Sequence, residues 1–249
     1  IPQGVLNFCN EHEVDVWNQE IADLPGALNQ EVQPLLLTAY SIPETVPFGD
    51  ITKTGRWDLI MHAVSRIPKS SPATRVAAQY GNLRLLQYLH ERKYEWSADV
   101  CKDAALNRHL NCLQFAHENG CPWDNITTKA AAQEGHVDCL AYAHENGCPW
   151  NISVYLIAAS SGHLHCMQYA LSLGLEWHVD VCKQAALRGH LDCLQFAHDN
   201  GCHWDNMTTR NAALEGHTDC LRYAHENGCP WDNMTTKAAA QEGHVDCLA

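Results

Sequence analysis

Histidine and cysteine recur together along this sequence in a spacing that could do chemistry. His109, His136, His163, His190, His217 and His244 lie at intervals of 27 residues, and Cys112, Cys139, Cys166, Cys193, Cys220 and Cys247 each follow three positions later. The unit of His136 and Cys139 adds His144 and Cys148. Imidazole and thiolate are good zinc ligands, and three or four of them converging would bind a metal tightly. Cysteine beside histidine is also the pairing of nucleophilic catalysis, and exposed thiols serve redox sensing. A third reading is packing, in which the histidine sits at a helix start and bonds to the neighbouring turn while the cysteine takes the place of a core valine. Repetition favours packing: an active site is normally unique in a chain, whereas this pair is copied six times. No Gly-rich phosphate loop, no Cys-x-x-Cys pair and no Gly-x-Ser-x-Gly elbow is present. Neither catalysis nor a metal or other cofactor is therefore expected.

The elements that place these residues share the same period. Trp96, Trp123, Trp150, Trp177, Trp204 and Trp231 are all 27 apart, and the cysteine column is followed by Leu113, Leu140, Met167, Leu194 and Leu221 and then by Phe115, Tyr142, Tyr169, Phe196 and Tyr223. An earlier, weaker unit carries Asn82, Leu85, Leu86 and Tyr88 in these places, so the array is read as residues 76–249. One unit translates into two helices. Asp124 or Asn125 caps a first helix through Thr127, Lys129, Ala131 and Ala132, and Gly135 stops it. A second begins at His136 or Val137, buries the stripe Val137, Leu140 and Ala143 at helical spacing, and ends at Gly147. Neither can bury its apolar face alone, so the units must stack. The paired alanines allow close approach, and the tryptophans are expected to fill the space between units.

The run Ala131-Ala132-Gln133-Glu134-Gly135-His136, with Cys139-Leu140 and Gly147-Cys148, resembles the ankyrin repeat consensus of paired alanines, Gly-His, two apolar helix positions and a Gly-small turn. The resemblance implies an all-α, helix-turn-helix solenoid of ankyrin type, with first helices lining the concave side and second helices on the outside. It also implies a protein-interaction scaffold or a structural subunit of a larger assembly. Two departures stand out. An ankyrin unit has about 33 residues and this one has 27, the shortfall lying between Trp150 and the next alanine pair, where the family has its β-hairpin finger. The Thr-Pro-Leu-His opening is absent as well. A finger-less variant follows, similar to short His-Glu-Asn-Gly-Cys-Pro-Trp arrays, and the contacts made by the family's fingers do not carry over.

Residues 1–75 lack the period and contain seven of the ten prolines. They are read as a cap or docking segment with short helices over 13–21 and 55–66. An alternative places an accessory or ligand-binding activity there or beyond residue 249. At the other end, Gly228 to Ala249 copies Gly120 to Ala141 with Met234 in place of Ile126, so the array is expected to continue or to be covered by another subunit.

Charge bounds the partners. Sixteen Lys and Arg against 29 Asp and Glu give −13, which repels phosphate backbones and anionic lipid. No stretch is apolar enough for a membrane span and no leader is visible, so a protein partner is expected, without nucleic acid or membrane insertion. Thirteen cysteines, an odd number in a long chain, fit reduced thiols and an intracellular, reducing compartment. Asn125, Asn151, Asn206 and Asn233 each open an Asn-x-Ser/Thr triplet, but they fall in the helix-capping column. The ladder His117, His144, His198 and His225 could sense pH near helix C-termini, or could replace the partly buried leucine of an ordinary ankyrin repeat. For the binding surface, the first helices carry a basic column, Lys102, Lys129, Lys183, Arg210 and Lys237, broken by Leu156. The second helices carry Asp138, Asp192, Asp219 and Asp246. An acidic or mixed peptide is expected in the inner groove, with Tyr155 and Leu156 as its apolar anchor.

Overall fold

A computed structural model describes residues 48–53, 57–65, 67–70 and 72–247 of this chain. Among them every regular element is a helix. First helices run Ala73–Gln79, Ala98–Leu106, Asn125–Gln133, Ser153–Ser161, Asp180–Arg188, Asn206–Leu214 and Asn233–Glu242. The second helices are Leu83–Glu91, Leu110–Glu118, Val137–Glu145, Leu164–Ser172, Leu191–Asp199 and Thr218–Glu226, and a 3-10 turn, Val245–Cys247, begins where the next would stand.

The capping chemistry explains the starts. Asp124, Asp205 and Asp232 each accept the N–H two residues on, at 2.8, 3.0 and 2.9 Å, and Asn151 does the same for Ser153 at 3.0 Å. The cap is thus the aspartate, and Asn125, Asn206 and Asn233 are first helical residues instead.

First helices of adjacent repeats pack more closely together than neighbouring second helices do. Ala104 with Ala105, Ala131 with Ala132, Ala158 with Ala159, Ala185 with Ala186 and Ala212 with Ala213 are all fully buried, and their small side chains permit that approach. Two further columns tie each first helix to the turn that follows the unit. Thr74, Thr128 and Thr209 donate their hydroxyls to the carbonyls of Glu95, Pro149 and Pro230 at 2.9, 3.1 and 2.9 Å. In return the turn cysteines Cys121, Cys148, Cys202 and Cys229 lie between 3.1 and 3.5 Å from carbonyls at the preceding cap.

Two helices stand upstream of the array. The expected helix over 55–66 is present as Trp57–Val64 and pairs with Phe48–Lys53, in the same compact unit as the array. This pair packs on the first repeat: Trp57 lies edge-on to Tyr88 at 5.9 Å, and Tyr94 donates to the Val64 carbonyl at 3.1 Å. The helix expected over 13–21 lies outside the described residues.

Two hydroxyls are out of place in this packing. Thr127 and Thr208 are fully buried with no hydrogen-bond partner, in a column that holds Val100, Val154 and Val181 in other units and, in the last, Thr235, whose hydroxyl donates to Asp232. An unsatisfied buried hydroxyl costs about 1–3 kcal/mol, so Thr208→Val should raise stability by about 1 kcal/mol. The adjacent Thr209→Val should lower it by a similar amount, since Thr209 loses its bonds to Asn206 and Pro230. Urea unfolding checks both signs, and two changes of the same sign would contradict the assignment.

Candidate interaction face and the histidine and cysteine columns

The column histidines do not converge on a common point. Each ring lies over the glycine of the preceding repeat: a Cβ added to Gly81, Gly135, Gly162, Gly189 or Gly216 would come within 2.5 or 2.6 Å of the ring of His109, His163, His190, His217 or His244. These glycines are left-handed, with φ between 67 and 77°. Nε2 of His163, His190 and His244 reaches the carbonyls of Gln133, Ser160 and Leu214 at 2.9, 3.2 and 3.1 Å. A carbonyl can only accept, which puts the ring proton on Nε2. The ladder is interrupted once, where Arg108 occupies the glycine position at φ 60° and pairs with Asp138 at 3.3 Å.

The column cysteines are core residues. Cys112, Cys139, Cys166 and Cys193 are fully buried, and burial pushes each thiol up to about 12. At neutral pH they stay protonated, the form that is neither nucleophile nor metal ligand. The twelve described cysteines are unpaired and buried, and among the described residues no three His, Cys, Asp or Glu side chains gather as a metal site.

The second histidine of each unit belongs to an aromatic cluster. His117 stacks on Trp123 at 3.8 Å and His198 on Trp204 at 3.7 Å, with Tyr142 and Tyr223 of the next repeat set edge-on at 6.2 and 6.0 Å from the tryptophans. Five of the six column tryptophans are therefore half-buried and Trp231 is exposed, not enclosed between units as the sequence suggested, because the stack sits where the second helix ends at the surface. In the fourth unit the histidine is replaced by Leu171, and Trp177 packs instead on Tyr155 at 4.5 Å.

That contact corrects one candidate. Tyr155 is fully buried, burial raises its phenol to about 12, and its hydroxyl donates to the Leu175 carbonyl at 3.2 Å. It occupies the column of Thr128 and Thr209 and offers no surface to a partner. Leu156, on the next position round the helix, is half-buried.

The basic column divides into two kinds. Lys102 pairs with Asp99 at 3.0 Å and Asp103 at 3.5 Å, and Lys183 with Asp180 at 3.0 Å and Asp205 at 3.1 Å. These aspartates hold both ammonium groups above their ordinary value. Arg75, one unit upstream, is likewise engaged by Asp103 and Asp99. Lys129, Arg210 and Lys237 have no carboxylate within ion-pairing distance among the described residues. One turn before them, where Lys102 and Lys183 have Asp99 and Asp180, stand Ile126, Met207 and Met234, exposed by 50, 37 and 37%. The sequence reading missed this apolar column, although it was visible as the residue three before each unpaired cation.

On the second helices the acidic column has local work. Asp138 and Asp192 accept the N–H of Cys139 and Cys193 at 3.0 and 2.8 Å, and a carboxylate in the first turn also suits the helix dipole.

Gly189 and Gly201 are both left-handed, but only Gly189 faces a ring; around Gly201 nothing lies within 4 Å. Replacement by alanine should cost about 1 kcal/mol at Gly201 from backbone strain alone. At Gly189 it should cost about 3 kcal/mol, because the His217 ring must also move. Equal losses in urea unfolding would remove the socket role. A second expectation concerns acid. Burial lowers the pKa of His109 below its ordinary value of 6.5, against a bond to the Gln79 backbone. The unfolded chain then binds the proton first as pH falls through about 6.5, so this histidine's share of stability is present above that pH and is lost below it. His109→Gln should flatten the fall in stability between about pH 7.5 and 5.5, and an unchanged slope would assign the effect elsewhere.

No protein-family model matches the chain, and no curated protein does. Among solved structures it is similar to the ankyrin repeat domain of human ASB11, at 18% identity and a TM-score of 0.60, over 72% of this chain and 96% of that domain. No strand is present among the described residues, in keeping with repeats that lack a finger. The likeness is one of fold, and together with the stacked helix pairs it identifies the architecture as an ankyrin-type solenoid.

Proposed function

We propose that this chain is a protein-interaction scaffold whose first-helix face holds an acidic, partly apolar segment of another protein. The observation that carries the reading is the coincidence, unit by unit, of an unpaired cation with an exposed apolar side chain one turn before it: Ile126 with Lys129, Met207 with Arg210, Met234 with Lys237. Such pairs give a partner both a charge to neutralise and apolar area to bury. Lys102 and Lys183 belong to the same stripe but are already neutralised within the chain, so they leave Lys129, Arg210 and Lys237 as the strong positions. Half-buried Leu156 supplies an apolar step between Lys129 and Arg210. A net charge of −13 argues against nucleic acid as the ligand, and no helix of the described residues is long and apolar enough to cross a membrane. Twelve buried cysteines, none of them in a disulfide among the described residues, support residence in a reducing compartment.

Selection of displayed peptides on the immobilised chain tests this. Sequences rich in Asp and Glu with interspersed Leu or Phe should emerge, and Lys129→Glu with Arg210→Glu should weaken them on the order of tenfold or more. Asp192→Lys, on the other layer, should not. The absence of an acidic class, or an acidic class indifferent to the double reversal, would overturn the proposal.

A further inference from the structure

The second-helix edge carries its own recurring set, independent of the first-helix face. In each of four units an exposed carboxylate, Glu118, Glu145, Asp199 or Glu226, follows the histidine that meets the tryptophan ring of its unit. The aromatic of the next repeat completes three of these clusters. Tyr223 donates to Asp199 at 3.0 Å, and the phenols of Tyr142 and Tyr169 are raised by burial and by the neighbouring Glu118 and Glu145. No lysine or arginine pairs with these four carboxylates among the described residues.

The first repeat presents the same columns in a different state. Tyr88 stands in the aromatic column, Glu91 in the carboxylate column, and the next residue is Arg92, whose guanidinium lies over the Tyr88 ring at 4.7 Å. A neighbouring guanidinium, that of Arg84, lies over Trp57 at 4.3 Å. In the later units the position of Arg92 is Asn119, Asn146, Asn200 and Asn227. Each of those asparagines folds back on its own helix, donating to the carbonyl of the aromatic residue four before it at 2.8 Å. The later units therefore keep the ring and the carboxylate but lack the cation that the first repeat provides for itself.

We propose that this edge recognises arginine side chains of a basic partner segment, each guanidinium lying against an aromatic ring, as that of Arg92 lies over Tyr88 within the chain, and hydrogen-bonding the adjacent carboxylate. Guanidinium suits the site better than ammonium because it is planar, stacks on rings and presents a fork of donors to a carboxylate. The fourth unit has Ser172 in the carboxylate column and Leu173 in the asparagine column, so the edge offers two pairs of positions, Glu118 with Glu145 and Asp199 with Glu226.

The test uses the full chain and two synthetic peptides, one with four arginines separated by Gly-Ser spacers and one with four lysines in the same places. Calorimetry should give a dissociation constant about tenfold lower for the arginine peptide. Glu118→Gln, Glu145→Gln, Asp199→Asn and Glu226→Gln together should abolish that preference. The control Asp138→Asn, Asp192→Asn, Asp219→Asn and Asp246→Asn removes the same charge from elsewhere on the second helices and should retain it. Asn146→Arg with Asn200→Arg copies the first repeat, fills two positions in cis, and should weaken the arginine peptide. Equal affinity for both peptides, equal losses in the two four-fold variants, or no effect of the added arginines would overturn the proposal, the first two by showing attraction to net charge alone.

Discussion

The stack depends on an imidazole from one repeat resting on a left-handed glycine of the repeat before it. Two requirements meet at that glycine. The first helix must turn sharply into the second, which needs a positive φ, and the following repeat must bring His163, His190, His217 or His244 down onto the same spot, which forbids a Cβ. The ring then donates Nε2–H to a carbonyl at the end of the preceding first helix, satisfying one of the acceptors a helix leaves open. Because the contact joins a residue to one about a repeat away, its geometry holds only if the number of residues between them is constant. That accounts for a period of 27 kept without insertion from Trp96 to Trp231. A chain held by such nearest-neighbour contacts gains stability unit by unit, and the junction at Arg108 makes an exposed ion pair with Asp138 where the others have a socket.

The same contact separates structural columns from free ones. With histidine, cysteine, the alanine pairs and the turn-binding threonines committed to the stack, few positions on the first helices face solvent without a structural duty. These include the basic column and the one three residues before it. Those two positions interact through helix geometry, since residues three apart share a face. Where the earlier one is aspartate the cation is spent within the unit, as at Asp99 with Lys102 and Asp180 with Lys183. Where it is Ile126 or Met207 the cation remains available.

Much of this was readable from the sequence because the repeat supplies its own controls. Helix pairs, caps, glycine stops and the core cysteines follow from local chemistry seen several times over. What was not readable depends on which neighbour a side chain finds. Tyr155 looks like a surface anchor in a divergent unit, yet it is core, because its column points at the turn carbonyl twenty residues on. The tryptophans look like fillers, yet they lie half-exposed, because the histidine that meets them also sits at the end of the helix. The helix pair Phe48–Lys53 and Trp57–Val64 carries none of the signature residues of the repeat, so periodicity could not point to it. The ion pairs of Lys102 and Lys183 join residues one, three or 22 apart, and the pairing across 22 residues cannot be anticipated from a helix.

The fourth unit shows how far the pattern can bend before the stack fails. It has Tyr155 where its neighbours have threonine or cysteine, Leu175 where they have a turn cysteine, and Leu171 where they have the stacking histidine. These changes compensate one another. The tyrosine ring takes over the face of Trp177 that the histidine would cover, and its hydroxyl replaces the threonine bond to the turn. Trp177 then spans to the next unit through Nε1 and the Asn200 carbonyl at 2.9 Å. The core is thus preserved while Leu156, Ser172 and Leu173 remove the cation from one layer and the carboxylate from the other. Because both surface changes fall in one repeat, the first-helix stripe and the second-helix edge are interrupted in the same register, and a single unit sets the boundary between two blocks on each side of the solenoid.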